Sequence, residues 1–403
     1  VRDSGDGNLI LFQWFAPLYS AHFWVAVWFL YFMSYFTVAE VLQLEALYFL
    51  TVVVFEVPSG YLSDRLGRVV TLRLSALMQA GSVAVFAFGP PEFWAFALGQ
   101  MLWACSFSFY SGTDSAFHFD ALQAAERTDE FPARQARIGR NVFIARAVSA
   151  LLGGALAVFG LRLAYLASLA VALVVIALTF AMHEPERSYA SSITKQTSAV
   201  LGYLKRPLIA WLFLYAVLET VLSHVPYEFT QPYIAVVLGE GVGDLLHTPW
   251  ISGIILAVVA AVGAVAADRA VAVRNRLGVR DALIVVTMAQ CLLISAMALA
   301  FEPWVLPLLA LRSVQSGIGH VIVTTEITPR IAQSQRATYL SMQSLAGRLA
   351  FSLVLWTLGA LTAGDTNASA LQNALTTCLW LALAAVILLT LTRPFAREEA
   401  RAI

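Results

Sequence analysis

Charge is the scarce component of this chain. Only 12% of its 403 residues are charged, 25 basic against 25 acidic, while 60% are hydrophobic and the mean hydropathy is +0.76. A soluble domain carries about twice that charged fraction, so a wholly water-exposed fold is excluded. Cysteine is scarce too. Cys105, Cys291 and Cys378 fall in apolar segments without metal-type spacing and read as packing residues. The only lysines, Lys195 and Lys205, lack the glycines and the Ser/Thr arrangement of a phosphate loop, so no ATP site is expected. H-E-x-x-H, G-x-S-x-G and any catalytic His/Asp cluster are missing, which argues against an integral-membrane enzyme. Short alternating strands are missing as well, which excludes a membrane β-barrel.

Long apolar runs are what the chain has instead. A bilayer core of about 30 Å needs roughly 20 apolar residues per helix. Spans are expected at 11–33, 41–63, 70–89, 93–117, 139–159, 163–182, 207–236, 249–272, 281–300, 304–325, 338–362 and 370–392. The fold class is therefore all-α integral membrane, with twelve transmembrane helices in two pseudo-symmetric six-helix bundles. The longest polar connection divides them into an N-terminal bundle (1–182), a linker (183–206) and a C-terminal bundle (207–403). The first apolar segment is long enough to span, so no cleavable signal is needed.

Arginines cluster at alternate connections: Arg65, Arg68 and Arg73; Arg127, Arg134, Arg137 and Arg140; Arg187 with Lys195, Lys205 and Arg206; Arg269, Arg274, Arg276 and Arg280; Arg330 and Arg336; and Arg393, Arg397 and Arg401. The intervening connections lack Lys and Arg, except for the turn at Arg162. Such alternation is the positive-inside signature and places both termini in the cytoplasm. The halves also echo one another. Asp64 recurs as Asp268, both read as lying just beyond an apolar helix; Ser111-Gly112 recurs as Ser316-Gly317, Gly154-Ala155-Leu156 as Gly359-Ala360-Leu361, and Arg146 as Arg348. Repeated six-helix units around a midplane cavity are a transporter architecture.

The turn Gly60-Tyr-Leu-Ser-Asp64-Arg65-Leu-Gly67-Arg68 resembles the loop 2–3 signature of the major facilitator superfamily, G-x-L-x-D-R-x-G-R-[RK], departing from it at Val69. A degraded copy runs from Asp268-Arg269 through Arg276, Gly278 and Arg280. Gly60 is read as a close-packing position and Gly67 as the reversal. The resemblance implies that Asp64 meets the N-terminus of helix eleven, and that Arg65 or Arg68 pairs with an acid near the inner end of helix four, Asp120, latching the outward-open state. The competing reading makes the arginines topology determinants only. Glu56-Val-Pro58-Ser-Gly60, Ser111-Gly112-Thr113-Asp114 and Arg336 through Arg348 resemble a mostly uncharacterised prokaryotic branch akin to drug and metabolite efflux members. Drug/proton antiporters usually carry an arginine on helix four and G-P-x-x-G-G on helix five. Here those positions hold Gln100 and Ala150-Leu-Leu-Gly153-Gly154.

Ionisable groups inside hydrocarbon are functional candidates by default. Glu219, Arg312, Arg348, His22 and His320 lie within expected spans, as do Glu56, Asp114 and Arg146, which are placed near the cytoplasmic ends and read as a structural cluster. Glu219 is read as a proton-coupling or substrate group, and Glu228 sits in a proline-punctuated stretch suited to bending. Trp14 and Tyr19 are the expected cavity aromatics of a ring-rich first helix. The chain thus reads as a secondary transporter of the inner membrane, working by alternating access. Its expected activity is proton-coupled efflux of a small amphipathic molecule; a proton symporter or facilitator for a polar metabolite is the alternative. Its expected partners are that substrate, protons and the lipid bilayer, with no nucleic acid, no cofactor beyond the proton gradient, and a functional monomer.

Overall fold

The computed structural model describes residues 2–185, 202–241, 244–332 and 335–395, apart from a few side chains, that of Asp64 among them. Arg187, Lys195, Arg397 and Arg401 lie outside the described residues. The protein is an all-α, multi-pass integral membrane protein. In chain order the α-helices are α1 (Arg2–Tyr19), α2 (Trp28–Met33), α3 (Val38–Leu66), α4 (Arg68–Phe88), α5 (Phe93–Tyr110), α6 (Thr113–Ala124), α7 (Phe131–Ala157) and α8 (Leu161–Ala181). They continue with α9 (Pro207–Leu238), α10 (Thr248–Leu277), α11 (Val279–Leu299), α12 (Val314–Ile327), α13 (Arg336–Leu361) and α14 (Asn367–Thr392). Eleven segments of the described residues are long and apolar enough to cross a bilayer. The remaining expected span, α5, is 18 residues long and is diluted by Gln100, Ser106 and Ser108.

Three expected spans are broken rather than continuous, each for a local reason. The first helix stops at Tyr19 and resumes as a 3-10 turn over Phe23–Ala26 before α2. Irregular backbone at membrane depth needs substitute partners, and Ser168 Oγ of α8 supplies them, accepting from Phe23 N–H at 3.0 Å and Trp24 N–H at 3.4 Å. Gly153 of α7 admits the break, because a Cβ there would overlap the Phe23 carbonyl oxygen. The fourth helix divides at Gly112, whose φ of 80° is left-handed and suits glycine. The tenth begins as an 11-residue 3-10 helix, Pro303–Ser313, with prolines at 303 and 307 that remove backbone donors.

Proline also shapes α9, which holds Pro226 and Pro232. Pro226 cannot donate to the carbonyl one turn earlier, that of Leu222. Gln290 Nε2 of α11 donates to that oxygen at 3.0 Å. The interruption is thus stitched from a neighbouring helix.

By its internal packing the chain forms two units. The first comprises Val1–Phe36, Gln43–Ala190 and Val242–Ala257; the second comprises Thr37–Leu42, Ser191–Gly241 and Val258–Ile403. In the first, Phe12, Phe15, Leu72, Phe117 and Val175 form a buried cluster. Trp211, Leu212, Tyr215, Ile322 and Tyr339 anchor the second.

Candidate functional site

The loop motif closes α3 and opens α4. Asp64 lies in the last turn of α3, and Gly67 reverses the chain with φ 114°. The reversal leaves the first amides of α4 without helical partners. Glu184, just beyond α8, accepts from Arg68 N–H at 2.7 Å and Val69 N–H at 2.8 Å. A carboxylate at a helix N-terminus is favoured by the helix dipole as well. Arg68 Nε lies 3.4 Å from Asp120 Oδ2, and its Nη1 donates to the buried Ser63 hydroxyl at 2.8 Å. Arg65 instead lies over the Tyr61 ring at 4.8 Å. Gly60 faces open space, with nothing within 4 Å of a Cβ built there. Close packing is therefore not what Gly60 supplies in this arrangement.

The second unit holds an arginine–acid pair with the same sequence separation. Arg274, near the end of α10, pairs with Glu326 of α12, which Arg330 also contacts at 2.6 Å. The turn glycine is Gly278, with φ 79°. Asp268 sits inside α10, exposed and more than two turns before its end, so it does not follow the helix as the sequence reading placed it. The repeat shifts register here, and the acid of the pair resides on α12.

Within the first unit, Tyr19 is 5% exposed and its hydroxyl joins Ser75 Oγ at 2.9 Å and Ser106 Oγ at 2.7 Å. Its ring stacks on Tyr110 at 3.9 Å. His22 stacks on Trp24 at 5.5 Å and meets Trp103 edge-on at 4.8 Å. Trp14 is 62% exposed and stands apart from this group. Asp114 occupies the first turn of α6 beside Tyr110. Glu56 is half-buried in α3. Arg146 differs from its expected place near a helix end. It lies about 16 Å from the Ala157 end of α7 at about 1.5 Å per residue, close to mid-span, and interacts electrostatically with His22 and Tyr110.

In the second unit Arg312 is buried, with its guanidinium 5.0 Å from the Tyr227 ring centre and electrostatically coupled to the buried Glu228. His224 Nδ1 lies 2.7 Å from the Thr220 carbonyl, in the field of Arg348 and Arg312. Glu219 is half-buried on α9, one turn from the buried Tyr215. Next to Tyr215, Gln315 Nε2 donates to Thr287 Oγ1 at 3.4 Å. His320 is exposed on α12, apart from these groups.

Two buried acids escaped the sequence reading, Glu326 of the pair above and Glu45. Glu45 of α3 is 8% exposed and accepts a hydrogen bond from the buried Gln100 amide. Its sequence signal was available, since Glu45 falls inside an expected span, as Gln100 does. Among the described residues neither Glu45 nor Glu219 has a lysine or arginine within ion-pair distance, and no group of three or more His, Cys, Asp or Glu is placed to hold a metal ion.

The family model described as Major Facilitator Superfamily matches residues 9–355. Comparison with curated proteins gives no match. Among solved structures, the nucleoside transporter NupG is 14% identical with a TM-score of 0.77, covering 98% of this chain and 99% of its own. A bacterial homologue of the human lysosomal transporter Spinster is 15% identical with a TM-score of 0.71, covering 98% and 96%. A bacterial homologue of the iron transporter ferroportin is 17% identical with a TM-score of 0.67, covering 97% and 98%. At these identities the likeness establishes the shared fold, and the match of the family model over most of the chain establishes the kinship: this chain belongs to the major facilitator superfamily.

Proposed function

We propose that this protein is a proton-coupled antiporter that exports a small amphipathic compound across the inner membrane by alternating access, with both termini cytoplasmic. The observation that carries the proton coupling is the pair of unneutralised carboxyl groups inside membrane spans, Glu219 and Glu45. A carboxylate in hydrocarbon costs roughly 3 kcal/mol or more unless it is paired or protonated. With no cation at ion-pair distance, proton uptake is the remaining route to neutrality, and that is the elementary step a proton-driven carrier requires. Glu219 is the proposed carrier because it is the more accessible of the two and stands mid-span. Glu45, held by Gln100, is the second candidate. The alternation of arginine-rich connections supports the orientation. The half-buried aromatic wall of His22, Trp24, Trp103 and Tyr110 supports a cargo with an apolar body. The loop motif, with Arg68 on Asp120, and its companion pair in the second unit, Arg274 on Glu326, would act as latches that break in turn as access alternates.

Purified protein in liposomes carrying an internal pH dye tests this reading. Under an imposed pH gradient, a transported compound should drive proton movement, and Glu219→Gln should abolish it. Proton movement unchanged in Glu219→Gln removes that residue from the mechanism. Transport without any proton movement identifies a facilitator instead, and proton movement in the same direction as the cargo identifies a symporter.

A further inference from the structure

The two mid-span arginines share a companion. His22 and Arg146 in the first unit recur as His224 and Arg348 in the second, both pairs displaced by 202 residues. Each histidine interacts electrostatically with the arginine of its own unit. Each arginine lies on the fifth helix of its bundle, α7 or α13, and each histidine on the first, at or within α1–α2 or α9. Two positions on two different helices that keep one offset indicate that the constellation is repeated as a whole.

Arg146 is accessible to an outside partner. Its side chain makes no hydrogen bond or ion pair among the described residues, and it is exposed although it lies near mid-span. Arg312 differs: it is buried, with its guanidinium 5.0 Å from the Tyr227 ring centre and in the field of Glu228. Charged side chains inside a span face the bundle interior or a wet cavity rather than lipid. The neighbours of Arg146 agree with that, since His22 and Tyr110 come from the first and fourth helices of the same unit. Asp114, the acid beside Tyr110, is already engaged by Tyr110 and by the backbone at Gly112 and Ser115.

We propose that Arg146 with His22, and in its own unit Arg348 with His224, recognise an acidic group on the cargo, so that the transported compounds are amphipathic organic anions. This rests on the transport reading above and narrows its substrate class. A guanidinium matches the planar oxygens of a carboxylate or sulfonate, or those of a phosphate monoester, and binds them through charge-assisted hydrogen bonds. The rings of Trp24 and Trp103 around His22, with that of Tyr110, suit the apolar body. The direction follows the same chemistry. An anion leaving a cell whose interior is negative moves down the electrical potential, and exchange for an entering proton moves net positive charge inward. Export is then driven by potential as well as by the pH gradient.

Thermal stabilisation of the purified protein tests the recognition without any gradient. The probes are size-matched: indole-3-acetate, its neutral amide and tryptamine, followed by naphthalene sulfonate and naphthyl phosphate against naphthol. At least one anion should bind about tenfold more tightly than its neutral counterpart, the scale of one charge-assisted contact. Arg146→Gln should erase that preference while Arg146→Lys retains part of it, and Arg348→Gln should weaken it in the same sense. Equal binding of anion and neutral analogue overturns the proposal, as does preference for the amine, a preference that survives both glutamine variants, or silence across the series. Should Arg146→Gln fail to fold, Arg146→Lys and Arg348→Gln still decide the matter. Anion binding with no proton movement in liposomes defeats the coupling while leaving the recognition standing; proton movement driven by neutral compounds does the reverse.

Discussion

In the first unit, α4 begins beneath a carboxylate brought from beyond α8, Glu184. In the second, α11 carries its own first-turn acid, Asp281, and Arg393 from the end of α14 reaches it at 2.7 Å. Both arrangements place negative charge where the helix dipole favours it, but donor and recipient have exchanged places. A second comparison runs the other way. Gln79 of α4 donates to the Tyr19 carbonyl at the break of the first helix, at 2.9 Å. Gln290 of α11 donates to the Leu222 carbonyl that Pro226 leaves without a partner. The same residue on the corresponding helix mends two different defects, a helix break and a proline. The repeat has kept physical tasks more faithfully than residue registers, and variants can test each side against the other.

The largest contrast is functional. Glu219→Gln should lower proton-coupled transport by roughly a hundredfold, the scale of losing a proton-transfer group, and Glu45→Gln by less, since Gln100 already shares its position. A larger loss in Glu45→Gln, measured by the liposome pH dye, would move the proton step to the first unit.

Next comes the arginine–acid pair. Glu326 is 3% exposed and serves both Arg274 and Arg330, whereas Asp120 and Arg68 are each about one-fifth exposed. Replacing one partner of a buried pair strands the other charge, so Glu326→Ala should cost about 3 kcal/mol of stability. Asp120→Ala should cost about 1 kcal/mol or less, as for a solvated pair. Melting in detergent would show the order, and an equal or reversed order would mean that the first-unit latch is the firmer one.

Packing at the first-helix break gives a third contrast. Gly153→Ala forces a methyl group into the Phe23 carbonyl and should destabilise by about 1–3 kcal/mol. Gly139, on the same helix with nothing within 4 Å of a built Cβ, should tolerate alanine or gain slightly, by about 0.5 kcal/mol. Equal melting of the two variants would show that α7 moves aside freely, and that the broken first helix does not depend on this contact.

Much of this molecule was legible in its residues because bilayer physics leaves few choices. Spans had to be helices of a certain length, and the loop motif at Asp64 named the family. The breaks were harder to read. Nothing in Ser20-Ala21-His22 announces an interrupted helix, since the device that permits it, Ser168 with Gly153, lies far away in sequence. The offset of 204 residues that paired Asp64 with Asp268 misled for a related reason. The α3–α4 and α10–α11 turns, marked by Gly67 and Gly278, follow a longer offset than α7 and α13, so one register does not serve a whole unit. Glu45 falls inside an expected span, but its burial is decided by a partner on another helix, here Gln100.

The smallest expected effect lies at an exposed corner of the first unit. Glu130, beside the start of α7, accepts from Arg127 at 2.7 Å and from Arg134 at 2.7 Å, and Arg127 also reaches Asp6 at 3.0 Å. The two guanidinium groups hold the Glu130 carboxyl down at about 2, well below the ordinary glutamate range near 4.3. A depressed folded value means that the unfolded corner binds the proton more readily. The stabilisation is therefore complete above the ordinary value and is lost as pH falls from about 4.3 toward about 2. Hydrogen exchange at residues 126–134 should rise over that window, and added salt at neutral pH should raise it modestly by screening the same exposed pairs. Glu130→Gln should show the raised exchange at every pH and lose the response. The Glu326 corner, enclosed by its arginines, should respond less to salt. If exchange at 126–134 ignores both pH and salt, α7 is anchored by its apolar face alone, and the two corners differ less than their exposure suggests.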